Sequence, residues 1–199
     1  MPIDIAAPSV KSLYLSIQYS PSAESEDGPV LATGTGFVVE HNARNYLITN
    51  RHNVVGRYPD GEFMSRHGVA PDELWVRHNV IHRLGSFMDV REPLFHADGT
   101  PRWFEHPVYG PEVDVVALPL THIQDVALYP YVAQAPVVPV KTTPSTGLSI
   151  VGFPFGRSAA PGMGIWARGF VASETGIDFE DLPRFLIDAR TRRVNRGRR

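Results

Sequence analysis

The feature that most limits this fold is a pair of β-rich runs held close together. Gly36-Phe37-Val38-Val39-Glu40 and Tyr46-Leu47-Ile48-Thr49-Asn50 are separated only by the polar segment 41–45. β-Branched and aromatic residues on both sides of a short polar connection predict a hairpin. Around it the chain is punctuated throughout: 17 Gly and 18 Pro among 199 residues favour turns and disfavour long helices.

The same reading expects a first strand over 11–19, a polar loop from Ser20 to Pro29, and strands at Glu73–Ile81, Asp114–Leu120, Gly147–Phe153, Gly164–Ala172 and Arg184–Ala189. Only Thr121–Leu128 and Asp60–His67 have the makings of short helices. The Pro-rich passage Ala135–Pro144 is the expected connection between two lobes. Many short strands at irregular spacing predict an all-β barrel or sandwich rather than βαβ units.

Several classes are excluded early. With no cysteine, the chain has no disulfide, no thiolate metal site and no cysteine nucleophile. Met1–Val10 contains Asp4 and Pro8 and lacks a basic start with an apolar run, so no export signal is expected and a cytoplasmic location is. No stretch approaches the roughly 18 apolar residues of a membrane helix. Charge is uneven. Six of the 19 Lys and Arg lie in 190–199, which leaves 13 against 21 acids, a net of −8, in residues 1–189. The body is acidic and the tail basic.

Three segments carry a resemblance. The first runs from Thr33-Gly34-Thr35-Gly36-Phe37 through the hairpin to Leu47-Ile48-Thr49-Asn50-Arg51-His52-Asn53-Val54-Val55. The second is Glu112-Val113-Asp114-Val115-Val116-Ala117-Leu118-Pro119-Leu120, an acid opening an apolar strand. The third is Arg184–Arg192, a strand and turn. Over about residues 10–192 the chain resembles the trypsin-like (chymotrypsin-fold) serine peptidases of bacterial type. That likeness implies a two-lobed double β-barrel, with a first barrel over about 11–134 and a partial second barrel over about 135–192. It makes His52 the general base and Asp114 the acid that orients it, in the family's order of histidine, aspartate, serine. The expected ligand is a polypeptide, with no membrane, no nucleic acid, no metal and no organic cofactor.

The third landmark departs from the family. A Gly-x-Ser-Gly-Ser-Pro stretch is expected after Arg192, and the chain reads Arg193-Val194-Asn195-Arg196-Gly197-Arg198-Arg199. By spacing, Arg196 takes the serine position and Val194 that of the glycine two before it. Glycine permits the tight turn that frees amide N–H groups for an oxyanion hole, so both losses matter. Removing a triad serine costs about 10⁶ in rate. The expectation is therefore a peptidase-type domain without turnover, its second barrel incomplete, with exposed strand edges.

Other residues have simpler readings. Ser149 misses the Gly-x-Ser-x-Gly elbow by one position and lies mid-strand, and Ser158 lies in a loop. His78 and His82 fall on an expected strand, where four residues put them about 13 Å apart, too far to share a metal. His96 and His106 suit surface turns. Gly34 and Gly36 lack the Gly-Lys-Ser/Thr of a phosphate loop and suit a strand packed close to its neighbour. Trp103 and Phe104 should pack the loop before Asp114. For the tail, three accounts stand: polyanion binding through clustered Arg, a solvated end, or out-of-frame translation of an Arg-rich, Lys-poor coding sequence, the last being favoured.

Overall fold

The computed structural model describes residues 4–20, 28–66, 68–133 and 141–189. Parts of the expected Ser20–Pro29 loop and Ala135–Pro144 connection, His67, and the whole Arg-rich segment with Val194 and Arg196 lie outside the described residues. Eleven strands are present among those described, against two five-residue α-helices, of which α1 is Ala7–Lys11, and one 3-10 turn, so the chain is all-β. Among the described residues, no helix is long and apolar enough to cross a membrane.

The chain divides into two units. The first comprises Met1–Pro136 and Val151–Ile165, and the second Val137–Ile150 and Trp166–Arg199. The first break lies next to the expected 134/135 boundary, but the excursion Val151–Ile165 returns to the first unit.

In the first unit, strand β1 (Ser12–Gln18) alternates as its sequence predicts: Leu13, Leu15 and Ile17 point inward. It pairs antiparallel with β2 (Val30–His41) on one side and β4 (Glu73–Val80) on the other. The expected hairpin forms between β2 and β3 (Arg44–Thr49), and its connection is tighter than 41–45. Asn42 and Ala43 alone turn the chain, with φ of 49° and 57°. Two consecutive residues with positive φ give the turn whose twist matches the flanking strands. The sheet continues to β6 (Val116–Pro119) beyond β3, and to β5 (Arg83–Pro93) beyond β4. Two short strands complete it: β7 (Val126–Ala127) pairs with the end of β4, and β8 (Tyr131–Val132) runs parallel to β2.

The core is one cluster that includes Leu13, Leu15, Leu47, Leu74, Val76 and Leu118, the last five with no exposed surface. Trp103 packs against it, whereas Phe104 is exposed, its ring 6.3 Å from that of Tyr46 and its backbone bridged to Ala117. The excursion from Val151 seats on β2. Phe153 N–H donates to Thr35 Oγ1 at 3.0 Å and its ring packs on Tyr14.

A three-stranded sheet of β9 (Gly147–Gly152), β10 (Ile165–Val171) and β11 (Ile187–Ala189), with β10 in the middle, belongs to the second unit except for Val151, Gly152 and Ile165. Hydrogen bonds hold the turns around it, among them Ser145 N–H to Val171 O and Ala172 N–H to Leu186 O, both 2.8 Å.

Four expectations need correction. Thr121–Leu128 is not a helix: its polar start makes turns and its end is β7. Asp60–Arg66 is turn and bridge, held by Tyr58 N–H to Glu62 O at 2.9 Å. The strand expected over 184–189 covers only its last three residues. His82 lies past the end of β4 in a turn, at φ 57°, and not on the strand with His78.

Candidate active site

The site is built where β3 ends. Thr49 is the last strand residue, Asn50 is extended (φ −68°, ψ 144°), and α2 (Arg51–Val55) begins at once. A five-residue helix has no stability of its own. Here packing and a cap make it. Val54 reaches the core with no exposed surface, and Asn53 is buried between β2 and β3. Asn53 Nδ2 donates to Thr49 Oγ1 at 2.8 Å, and Thr49 Oγ1 donates to Thr35 O at 2.9 Å. Gly34 leaves the necessary space: a Cβ at that position would stand 2.6 Å from Asn53 Nδ2. Gly56 closes the helix in the left-handed region (φ 72°), where glycine is favoured, and its N–H bonds His52 O at 2.9 Å. Gly34 and Gly36 thus do mark close packing, since a Cβ on Gly36 would meet Leu47 Cδ1 at 2.8 Å.

With Asn53 and Val54 turned inward, His52 faces out, its side chain about one-fifth exposed. Asp114 meets it there. The acid does not open the strand as expected but sits on the loop two residues before β6. His52 Nδ1 stands 2.6 Å from Asp114 Oδ2, and His52 N–H donates to Asp114 Oδ1 at 2.9 Å. Asn50 Nδ2 donates to Asp114 O at 3.1 Å and to Oδ2 at 3.3 Å. Partial burial, the largest influence on Asp114, pushes its pKa up. Hydrogen bonds from the His52 ring and backbone, the His52 charge and the Asn50 amide together outweigh it and leave the pKa below the usual carboxylate value.

This arrangement fixes a tautomer. A carboxylate can only accept, so Nδ1 carries the proton and Nε2 keeps its lone pair for use as a base. The Tyr58 ring lies 5.5 Å from the His52 ring, tilted by 42°. Beside them, Arg51 Nε donates to Glu105 Oε1 at 2.8 Å.

Asn50, Tyr58 and the Arg51–Glu105 pair were not singled out in the sequence. A signal existed for Asn50 alone, because Asn is a favoured residue immediately before a helix, once that helix is recognised. Among the described residues of the first unit, no hydroxyl is hydrogen-bonded to His52 Nε2. Ser158 is exposed in a loop, as its sequence context suggests, whereas Ser149 is exposed in the middle of β9 and does not take the packing role expected of a mid-strand position. Arg196, the expected counterpart of the nucleophile, lies outside the described residues. His78 is 1% exposed on β4, and His106 Nδ1 accepts from Tyr109 N–H at 3.2 Å within a turn. No three His, Asp or Glu among the described residues are grouped to hold a metal ion. Compared with protein-family models and with curated proteins, the chain matches none.

Proposed function

We propose that the first unit carries the histidine–aspartate half of a serine-type endopeptidase site, in a domain of trypsin-like double-barrel ancestry that acts on or holds polypeptide. The observation behind this reading is the 2.6 Å contact between His52 Nδ1 and Asp114 Oδ2, two residues 62 positions apart. The sheet adds support. Chain leaving β6, at one edge, crosses to pair β7 with β4 near the other edge, a connection that suits a sheet curled toward a barrel.

In the reaction this site fits, His52 Nε2 accepts the proton of an attacking hydroxyl while Asp114 stabilises the imidazolium that results. The hydroxyl is the piece the sequence does not provide where the resemblance places it, at Arg196. The chain is thus read as a base without its nucleophile, which leaves peptide-bond hydrolysis nearly inert.

An activated ester tests the base without needing a serine. Hydrolysis of p-nitrophenyl acetate by the full chain is expected to contain a component that His52→Ala removes, while a fluorophosphonate probe labels no serine. An ester rate unchanged in His52→Ala would sink the general-base reading. A labelled serine would instead show an active peptidase whose nucleophile lies elsewhere in the sequence.

A further inference from the structure

We propose that Asn50 is a positioning residue of this site, its side-chain amide holding Asp114 so that one carboxylate oxygen faces His52 Nδ1. The inference rests on the general-base reading of His52 and deepens it.

Asn50 occupies the position before α2 where an Asn side chain ordinarily accepts from a helix N–H. It makes no such bond. Its amide is turned toward Asp114 instead, where both partners, the backbone O and Oδ2, are acceptors. Only the amide nitrogen can serve two acceptors, so the orientation of the amide is settled by its surroundings. With one proton toward the main chain and one toward the carboxylate, Asn50 restrains the loop and the side-chain torsion together.

Such a tether answers a defect of this site. Asp114 stands on a loop and not on the strand that begins at Val116, so no ladder hydrogen bond fixes it. Asn50, by contrast, is held from both sides: β3 ends at the residue before it, and its carbonyl accepts from Asn53 N–H at 3.1 Å in the first turn of α2. The partner fixed by regular structure therefore orients the one on the loop. The carboxylate's two oxygens are divided between them. Oδ1 takes the His52 N–H, and Oδ2 takes the His52 ring and the Asn50 amide. Without the amide, Oδ2 keeps the His52 ring as its one partner, and the half-buried carboxylate beside exposed Asn50 can turn that oxygen toward water more easily.

The test reads the His52 ring itself by ¹⁵N NMR of the full chain, at a pH where the imidazole is neutral. Wild-type His52 is expected as the Nδ1–H tautomer with a downfield Nδ1–H proton signal, both lost in Asp114→Asn. In Asn50→Ala the tautomer ratio is expected to fall by about tenfold, the size of a lost hydrogen bond to a charged group. Asn50→Gly provides the second arm. Glycine is tolerated before a helix and adds no charge beside Asp114, so a purely structural role predicts little harm; loss of the donor predicts the same fall in tautomer ratio. The proposal is overturned if either variant folds, as judged by its amide spectrum, and keeps the wild-type ring signature. A wild-type ring that is already Nε2–H, or that ignores Asp114→Asn, overturns the general-base reading instead.

Discussion

The two units of this chain use apolar side chains in opposite ways. In the first, Leu15, Leu47, Leu74, Val76, Leu94 and Leu118 have no exposed surface and form one continuous cluster. In the second, Trp166, Phe170, Phe185, Leu186 and Ile187 are each 41–45% exposed, and Val171 is the one fully buried apolar side chain among the described residues. Both units contain regular antiparallel ladders. The hydrogen bonds are therefore common to the two, and what differs is how much apolar surface leaves water. Since burial is the main favourable term in folding, stability should be concentrated in the first unit, which is also where His52 and Asp114 lie.

Truncation in the core should show the largest contrast. Leu15→Ala is expected to cost about 2–5 kcal/mol, the range for opening a cavity in a packed interior. Urea denaturation measures it, and a loss below about 1 kcal/mol would remove the distinction between the units.

Acid should act next, and again on the first unit. Burial pushes the His78 ring down to about pKa 4, against the pull of the Glu92 and Asp89 carboxylates, and neither ring nitrogen has a hydrogen-bond partner among the described residues. The unfolded chain takes up this proton near pH 6.5 and the folded chain only near pH 4, so stability falls as pH drops between those values. The loss is of order 3 kcal/mol. Denaturation midpoints of wild type and His78→Leu, followed from pH 7 to 4, should converge on a smaller acid dependence in the variant. Equal slopes would mean that the ring finds a partner when charged.

Glycine substitutions sharpen the comparison further. Gly34→Ala pushes a methyl group against the buried Asn53 amide and is expected to cost about 1–3 kcal/mol, and to weaken the His52 ring signature because α2 must shift. Gly176→Ala, in the second unit, meets nothing within 4 Å and should stay within about 0.5 kcal/mol of wild type. Thermal melting compares them directly. Ile187→Ala should also fall within about 0.5 kcal/mol, because its side chain is already 44% exposed. A large effect at Ile187 would show that the second sheet is covered in solution.

Legibility in the sequence followed local regularity. β1, the β2–β3 hairpin, β4, β9 and β10 were readable because apolar runs are set off by turn residues. β5 was not. Arg83–Pro93 contains Gly85, Asp89, Arg91 and Glu92, a composition that lacks a strand pattern but suits an outer strand paired on one side only. What fixes it there is long-range: Asp89 lies opposite Arg77 on β4 and accepts two hydrogen bonds of 2.7 Å from its guanidinium. Buried Glu92 accepts from Thr121 N–H and His122 N–H, which ties the start of 121–128 to this outer strand. The helix α2 was hidden for a different reason: its five residues are too few to register as a period.

The sequence by itself determined the all-β class and the hairpin, because strand alternation and turn chemistry act over a few neighbours, whereas the pairing of His52 with Asp114 was suggested only by the resemblance to trypsin-like peptidases. Only the tertiary structure decided that His52 stands on a helix and Asp114 on a loop, that Asn50 joins them, and that His78 is buried with no hydrogen-bond partner among the described residues. Those outcomes depend on which residues meet across 50 or more positions of chain, as Asn50 and Asp114 do, and no local pattern encodes such a meeting. Burial of the shared core selects it, and the hydrogen bonds at the site then fix its geometry.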